Sequence, residues 1–526
     1  MVAGLARVDR LQWWLAGLST VLALIATARG PGLSPDSVNY LAAGVNLADG
    51  RGLRALDDST LTVLAPGLSF VAAAGAWIAD APELIVRLVT AASAAGATLL
   101  VARQLRLAVG NRVVATAATA LVAVSPVILN VTKMAWTEGP FIVIVLAFTL
   151  MGALAVSEPH RTDRWVAVMA VLVWLAFLFR YAGLSLVLAG GAVTMLATAG
   201  TAARRLVRTI AFVVVSCVVP IGWMLRNRSV DGALLGPRTA SNDSIGDVLQ
   251  RLVEGVGGWL VPIEELPSSA LLAAGILALL ALMLLAWLVW RAPHTDAAAD
   301  TAPSATTATM SRAVGVSNGA FVIAYLGYLA AAQLTTLFDS INQRLLSPAF
   351  APVVIVVALG IHVVTAASTA STRRFTGVAV AGLIAANALV AAGYAGVGVV
   401  RGIGFNQPQW TDSALAAAVV ADADDSIVYS NRPPGLWAGS KVQPILQSPL
   451  LVGARGVAID GQLASFANDV ACADEPVLLA EFRQGGVAAV PVEEISAVLD
   501  VVVVGEFADG VLYAVSSGVA AECPER

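Results

Sequence analysis

The chain has 526 residues, of which 58% are hydrophobic and only 13% are charged, and its formal net charge is −4. This composition excludes a soluble globular protein. Its charge-free apolar runs of about 20 residues match the thickness of a bilayer core that a helix crosses. We therefore predict a multi-pass membrane protein built from helices rather than a barrel, with membrane lipid and no nucleic acid among its partners.

The first apolar run, residues 11–28, follows Arg7 and Arg10. It ends in Ala26-Thr27-Ala28, which is typical of a signal-peptide cleavage site. The run is longer than the apolar core of a usual signal peptide, so we predict an uncleaved membrane span.

Basic residues orient the spans, because cytoplasmic loops retain Lys and Arg whereas translocated loops tend to lack them. Four arginine clusters are expected in the cytoplasm: Arg103, Arg106 and Arg112; Arg161 and Arg164; Arg204, Arg205 and Arg208; Arg373 and Arg374. The predicted spans are residues 11–29, 84–104, 113–131, 137–156, 164–181, 183–200, 207–225, 268–290, 314–337, 345–366 and 376–399. About eleven spans in the plasma membrane place the N terminus in the cytoplasm and the C terminus outside. If the apolar stretch 61–78 were a further span, every later arginine cluster would lie on the opposite side of the membrane. We therefore expect this stretch to lie flat or re-entrant on the outer surface.

The outer loop 30–83 carries a carboxylate close to the end of the first span. Asp36 follows Pro35, and either Ser34 or Asp36 is a candidate N-cap for a helix that runs through Tyr40 to Leu47. One interpretation is that Asp36 serves only as this cap. The other is that Asp36 is a catalytic group at the membrane surface.

A second carboxylate reaches the same outer face in the segment 130–140, which also contains Lys133. Glu138 begins a span, where a lone charge is costly unless it is paired, hydrated or coordinated. Two acids at one membrane surface suggest a general base and a metal ligand, so Asp36 and Glu138 are candidate ligands for a divalent cation such as Mg²⁺ or Mn²⁺. The alternative for Glu138 is a carboxylate that the helix dipole stabilises at the start of a helix.

Arginines at predicted outer span ends suit a lipid phosphate, because a guanidinium group can bind it through two hydrogen bonds. Arg180 and Arg344 are the main candidates, and Arg226 is a weaker one. The alternative for each is that its long side chain only reaches the lipid headgroups.

The chain becomes acidic after about residue 402. From position 401 onward it has 16 acidic and 6 basic residues, a net charge of −10. Short β-rich runs at 426–430, 476–480, 499–504 and 511–515 alternate with turn and helix-like stretches, which predicts a small extracytoplasmic α/β domain. Its cysteines, Cys472 and Cys523, are free to pair or to remain thiols in an oxidising exterior. We thus divide the chain into a membrane domain, 1–402, and a soluble domain, 403–526.

These residues resemble the GT-C glycosyltransferases, a superfamily that includes protein O-mannosyltransferases and aminoarabinose transferases. The pattern Asp36-Ser37-x-x-Tyr40-x-x-x-Gly44-x-Asn46-Leu47-x-x-Gly50 looks like that family's first outer loop, and Ala65-Pro66-Gly67-Leu68 resembles the start of its second surface helix. Thr137-Glu138-Gly139-Pro140 is similar to its second acidic site. Phe179-Arg180-Tyr181-Ala182-Gly183 and the segment from Arg344 to Pro348 and Pro352 resemble its two basic sites.

This resemblance implies an enzyme that moves a hexosyl or pentosyl group from a polyprenyl phosphate to a glycan, protein or lipid acceptor on the outer face. Asp36 would be the general base of an inverting reaction, and Arg180 with Arg344 would bind the leaving phosphate. Glu138 would bind a divalent cation or orient the acceptor, and Tyr40, Lys133 and Arg226 are candidate substrate contacts. Ser37 stands where many relatives have a second acid, so metal dependence does not follow from the resemblance. The soluble domain would be an accessory domain.

Two other functions fit a polytopic chain. One is a transporter or flippase for lipid-linked sugars, although such proteins usually place ionisable groups near the middle of the membrane, where this chain has almost none. The other is a noncatalytic scaffold for cell-envelope assembly, for which Asp36 and Glu138 would be dispensable.

Overall fold

The computed structural model describes residues 9–261, 263, 266–291, 305–366, 368–452, 458–484, 489–518 and 523. The chain folds into two compact units. The first comprises Met1–Thr27, Thr62–Gly67 and Arg87–Val399, and the second comprises Ala28–Leu61, Leu68–Val86 and Val400–Arg526. Most of the segment 30–83, predicted to be an outer loop, belongs to the same unit as the C-terminal residues, a grouping that differs from the sequence-based boundary at 402/403.

The described part of the chain is mainly helical. Its α-helices are α1 (Arg10–Ala26), α2 (Pro35–Ala48), α3 (Gly67–Ala79), α4 (Pro82–Ala108), α5 (Arg112–Ala123), α6 (Pro126–Thr132), α7 (Glu138–Ser157), α8 (Thr162–Phe179), α9 (Ser185–Leu196), α10 (Ala202–Asp231), α11 (Ile245–Leu260), α12 (Ser268–Arg291), α13 (Ala305–Thr335), α14 (Gln343–Ala366), α15 (Ala370–Arg401), α16 (Pro408–Thr411), α17 (Ala414–Asp422), α18 (Pro433–Ser440), α19 (Gln462–Ala471) and α20 (Val492–Ile495). Short 3₁₀ segments occupy Pro159–Arg161, Tyr181–Leu184 and Ala423–Asp425.

Eight helices in the described residues are long and apolar enough to cross a membrane, or nine if α5 and α6 form one span. The axes of α5 and α6 differ by 42°. Pro126 begins α6, and its ring does not allow α5 to continue through this position. The chain is thus a multi-pass helical membrane protein, but the predicted count of eleven spans is not confirmed. The two remaining predicted spans coincide with the shorter apolar helices Arg10–Ala26 and Tyr181–Leu196.

Buried polar side chains tie the central helices of the first unit together. The Asn318 Nδ2 of α13 donates to the Gln104 Oε1 of α4 at 2.7 Å. Gln104 Nε2 in turn donates to the Leu146 carbonyl and the Thr149 Oγ1 of α7, at 3.0 and 3.2 Å. Hydrogen bonds of this kind join membrane helices in a medium that offers few other partners. They fix α7, whose first residue is Glu138.

The second unit contains the predicted small α/β domain. Its strands are β1 (Ile427–Ser430), β2 (Leu446–Gln447), β3 (Val477–Phe482), β4 (Asp500–Glu506) and β5 (Gly510–Ser516). They form one sheet in the order β2-β1-β3-β5-β4, in which β1 is parallel to β2 and β3, and β5 is antiparallel to β3 and β4. Buried side chains including Tyr429, Phe466 and Leu479 form its core. The position of this domain outside the membrane stays a prediction.

A disulfide joins Cys472, at the end of α19, to Cys523, which follows β5. The two residues are 51 positions apart, so the bond closes a long loop and restricts the unfolded chain. We expect Cys472→Ser combined with Cys523→Ser to lower the free energy of unfolding of this domain by about 2–4 kcal/mol. Faster hydrogen exchange of the β5 amides in the full-length protein would report the change, whereas Cys217→Ser, at a free cysteine of the first unit, should leave β5 unaffected.

Candidate functional site

Asp36 lies in the first turn of α2. The N-cap is Ser34, whose hydroxyl accepts a hydrogen bond from the Ser37 amide at 3.3 Å, and Pro35 occupies the first helical position that proline favours. The interpretation of Asp36 as the N-cap is therefore wrong. Its half-buried carboxylate is still favoured by the helix dipole, but the cap does not depend on it.

The surface of α2 that faces α3 is closely packed. A Cβ on Gly44 would lie 2.5 Å from the Ala72 Cβ and 2.9 Å from the Ser69 carbonyl oxygen, so only glycine permits this approach. Val38 is fully buried, and Tyr40, a candidate substrate contact, is only 5% exposed. Within the second unit, α2 is thus a firmly held platform for Asp36.

Glu138, at the start of α7, has no exposed surface. Its Oε1 accepts a hydrogen bond from Arg344 Nε at 2.7 Å and lies 2.5 Å from Arg180 Nη1. A buried carboxylate is tolerated when it is paired and hydrogen-bonded, and here one oxygen serves two guanidinium groups. We call Glu138, Arg180 and Arg344 the acid–arginine cluster.

Arg180 occupies a break between two helical segments. Helix α8 ends at Phe179, Arg180 has extended backbone angles, and the 3₁₀ segment Tyr181–Leu184 follows. The Tyr181 hydroxyl donates to the Thr62 carbonyl at 2.6 Å and accepts from Trp223 Nε1 at 3.1 Å. This anchor fixes the backbone directly after Arg180, whose Nη1 also donates to Thr137 Oγ1 at 3.3 Å.

Arg344 lies in the first turn of α14, where the Asn342 Oδ1 accepts a hydrogen bond from the Leu345 amide at 3.1 Å. Its guanidinium carbon is 4.0 Å from the centre of the Trp136 ring, a cation–π contact that orients the group. Asp339 Oδ2 lies 3.7 Å from Arg344 Nη1, but this carboxylate is 72% exposed, so water and salt weaken its effect.

The acid–arginine cluster combines one negative with two positive charges, a formal sum of +1. The side chains of Arg180 and Arg344 keep 14% and 17% of their surface accessible, whereas Glu138 is completely enclosed. The net positive charge and the partial exposure of both guanidinium groups favour an anion over a cation at this position. The arrangement is suited to binding an anionic group such as a phosphate.

The cluster does not fit a divalent cation. A metal ion bound by Glu138 would be placed beside two guanidinium groups that repel it, which argues against the predicted role of Glu138 as a metal ligand. Asp36 gains no support as a ligand either, since the described residues contain no group of three or more His, Cys, Asp or Glu side chains that could hold a metal.

Lys133 and Arg226, the candidate substrate contacts in the first unit, each lie beside an aromatic ring. The Lys133 ammonium, in a side chain only 7% exposed, lies 4.5 Å from the centre of the Tyr394 ring. The Arg226 guanidinium lies 4.8 Å from the Trp223 ring and donates to Asn227 Oδ1 at 3.0 Å. These contacts leave substrate binding by either residue as a proposal.

Sequence reasoning missed the supporting roles of Trp136 and Thr137. Both directly precede Glu138, and each contacts a different arginine of the cluster. The sequence feature that could have pointed to them is an aromatic and a hydroxyl side chain next to a carboxylate at the end of a span. Such a signal does not reveal which distant arginine each side chain will meet.

Known structures share this fold. ArnT from Cupriavidus metallidurans bound to undecaprenyl phosphate matches with a TM-score of 0.58 at 14% identity, over 95% of this chain and 97% of ArnT. The mycobacterial arabinofuranosyltransferase AftD matches with 0.52 at 15% identity, over 96% of this chain and 40% of AftD. The chain has the fold of the GT-C glycosyltransferases.

A third match is an oligosaccharyltransferase. The oligosaccharyltransferase AglB from Archaeoglobus fulgidus, in complex with an inhibitory peptide and a dolichol-phosphate, matches with a TM-score of 0.50 at 11% identity, over 89% of this chain and 69% of AglB. No protein-family model and no curated protein matches the sequence. At such identities the GT-C likeness establishes the fold, while substrates have to be argued from the site.

Proposed function

We propose that the protein transfers a sugar from a polyprenyl phosphate donor to an acceptor hydroxyl on the outer face of the plasma membrane. The observation that carries this proposal is the acid–arginine cluster, in which Arg180 and Arg344 meet on the buried carboxylate of Glu138. The fold adds support, because ArnT has been crystallised with undecaprenyl phosphate and AglB has a bound dolichol-phosphate. The Cys472–Cys523 disulfide favours an outer position for the C-terminal domain.

The two arginines bind the phosphate of the donor in this proposal. Their guanidinium groups hydrogen-bond the phosphate oxygens and stabilise the negative charge that grows there as the bond to the sugar breaks. An apolar helical unit suits a donor whose polyprenyl chain remains in the lipid, since only the phosphate and the sugar then need polar partners.

Asp36 is the general base of the proposed reaction. Its carboxylate takes the proton of the acceptor hydroxyl as that oxygen forms a bond to the anomeric carbon. The bond between the anomeric carbon and the phosphate oxygen breaks, and its electron pair leaves with the polyprenyl phosphate. Attack from the side opposite to the leaving group inverts the anomeric configuration.

Glu138 has a positioning role in this scheme, which replaces the acceptor-orienting and metal-binding roles expected from the sequence. Its Oε1 holds Arg180 and Arg344 together, so that two like charges remain side by side at low cost. The carboxylate therefore acts on the donor phosphate through the two arginines.

The function is tested by offering the protein, reconstituted in liposomes, polyprenyl phosphates that carry radiolabelled mannose, glucose or arabinose, together with envelope acceptors. We expect one label to leave the lipid and to appear in an acceptor with the opposite anomeric configuration, while free polyprenyl phosphate accumulates. A label that stays on its lipid and crosses to the other leaflet would contradict the proposal and favour the flippase.

Arg344→Lys is expected to weaken the binding of polyprenyl phosphate about tenfold. Lysine keeps the positive charge, but its ammonium cannot hydrogen-bond Glu138, lie over Trp136 and bind two phosphate oxygens at the same time. Titration of the purified variant with polyprenyl phosphate measures the change. Arg291→Lys is a control for the same substitution over a tryptophan, because Arg291 stacks on Trp287 in α12, and it should bind like the wild type.

A further inference from the structure

Two segments that lie far apart in the sequence pair along their backbones within the second unit. The Leu33 amide donates to the Ile403 carbonyl at 3.2 Å, and the Phe405 amide donates to the Leu33 carbonyl at 2.9 Å. Residues 402–406, which we call the 402–406 loop, thus hold Leu33 in a parallel bridge with Gly404. Leu33 is 2% exposed and directly precedes Ser34, the N-cap of α2.

Asn406 fixes the chain on the other side of Leu33. Its Nδ2 donates to the Arg29 carbonyl at 2.8 Å and to the Pro31 carbonyl at 3.2 Å, and the side chain is 8% exposed. A buried carbonyl that loses its hydrogen-bond donor is destabilising, so the side-chain amide of Asn406 stabilises the backbone conformation of residues 29–33.

Glycines make this close approach possible. Gly30 has φ = +110°, and a Cβ there would lie 2.6 Å from Asn406 Nδ2. Gly404 has φ = +60°, and its Cβ would lie 2.0 Å from the Leu33 carbonyl oxygen. A side chain at Gly404 would thus collide with the Leu33 backbone, and one at Gly30 would displace the Asn406 amide group.

The 402–406 loop is itself anchored in the C-terminal domain. Phe405 packs edge-on against Trp410 at 5.2 Å, and Trp410 packs in the same way against Phe482, the last residue of β3, at 5.1 Å between ring centres. The Asn431 side chain exchanges two hydrogen bonds with the Phe482 backbone, of 3.0 and 2.9 Å. A continuous set of contacts thus runs from the sheet through the 402–406 loop to Leu33.

We propose that Asn406 is a positioning residue for Asp36, and that the C-terminal domain thereby helps to place the general base. Asp36 is three residues beyond Leu33 and in the first turn of α2, so a shift of residues 29–33 is passed to its carboxylate. Placement matters for catalysis, because a displacement of about 1 Å can lower a rate about 100-fold. The inference rests on the proposed role of Asp36, and it makes the domain more than an accessory.

The experiment compares Asn406→Leu with the wild type in the full-length reconstituted protein. Leucine has the same branching and the same number of side-chain heavy atoms as asparagine, with bulkier methyl groups, and it has no N–H to donate to Arg29 and Pro31. We expect hydrogen exchange of the amides of residues 36–41 to become about tenfold faster and the turnover number to fall about 100-fold. The stoichiometry and affinity of polyprenyl phosphate binding should stay within about twofold of the wild type, because the described contacts that hold Arg180 and Arg344 do not involve Asn406.

Gln407→Met is the matched control, since the adjacent Gln407 is the N-cap residue of α16 and caps it without a side-chain hydrogen bond. This variant should show the hydrogen exchange and the turnover number of the wild type. Unchanged hydrogen exchange of the amides of residues 36–41 in Asn406→Leu would overturn the inference, whether or not the protein transfers sugar. So would a loss of phosphate-binding stoichiometry that equals the loss of turnover, because it would show general unfolding. A wild type that transfers no sugar would instead refute the proposed function.

Discussion

Asp36→Asn is expected to reduce sugar transfer about 10²–10⁴-fold, the usual contribution of a general base. Asparagine has the shape of aspartate but cannot accept the proton of the acceptor hydroxyl. Ser34 remains the N-cap in the variant, so α2 should fold as before. The measurement is the initial rate of label transfer at equal amounts of folded protein, with both substrates near saturation, so that the turnover number is compared.

Asp49→Asn provides the control at the other end of the same helix. Asp49 is the C-cap residue of α2, and its side chain is 56% exposed, 3.7 Å from Arg51 Nη2. A surface ion pair of this kind contributes little, so its loss should leave both stability and transfer nearly unchanged. If Asp36→Asn transferred sugar as fast as Asp49→Asn, another group would have to be the base.

Glu138→Gln is expected to lower the free energy of unfolding by about 3–5 kcal/mol, the range for breaking a buried ion pair. Glutamine keeps the shape but leaves Arg180 and Arg344 to repel each other next to a neutral amide. Their guanidinium groups should separate, so that transfer falls at least about tenfold even in the folded fraction. Thermal unfolding followed by tryptophan fluorescence, together with transfer per folded molecule, measures both effects.

Glu158→Gln is the comparison at the opposite end of α7. Glu158 is the C-cap residue there, and its Oε2 accepts a hydrogen bond from Trp165 Nε1 at 3.2 Å, which a glutamine oxygen can also accept. We expect a small change in stability and normal transfer. Equal stability of the two variants would show that the buried ion pairs of Glu138 contribute little.

The charged residues of the site could be predicted from the sequence for a physical reason. Glu138, Arg180 and Arg344 stand at the ends of apolar runs, where an isolated charge is costly, so each had to be paired or functional. The sequence did not indicate that they pair with one another. Such contacts between distant segments depend on helix packing, which periodicity and charge counts do not encode.

The parts of the fold that the sequence did not predict are those with weak or misleading local sequence patterns. Four of the five strands follow β-rich runs, but β2 is only two residues long, Leu446–Gln447, and leaves no recognisable pattern. The 11-span prediction came from apolar run lengths, which do not reveal that a run such as 183–200 begins with a 3₁₀ turn and forms a short helix. The pairing of Leu33 with the 402–406 loop also joins segments that are far apart in the sequence, as do the contacts of the acid–arginine cluster.

The most direct test of the proposed phosphate site is a titration of the full-length protein in nanodiscs with polyprenyl phosphate. We predict that the double variant Arg180→Gln with Arg344→Gln binds at least about 100-fold more weakly than the wild type, because two charge-assisted interactions of about 1.5–3 kcal/mol each are lost. Arg228→Gln, at an exposed arginine of α10, controls for the loss of positive charge and should bind normally. Equal binding by the double variant and the wild type would contradict the assignment of the acid–arginine cluster as the phosphate site.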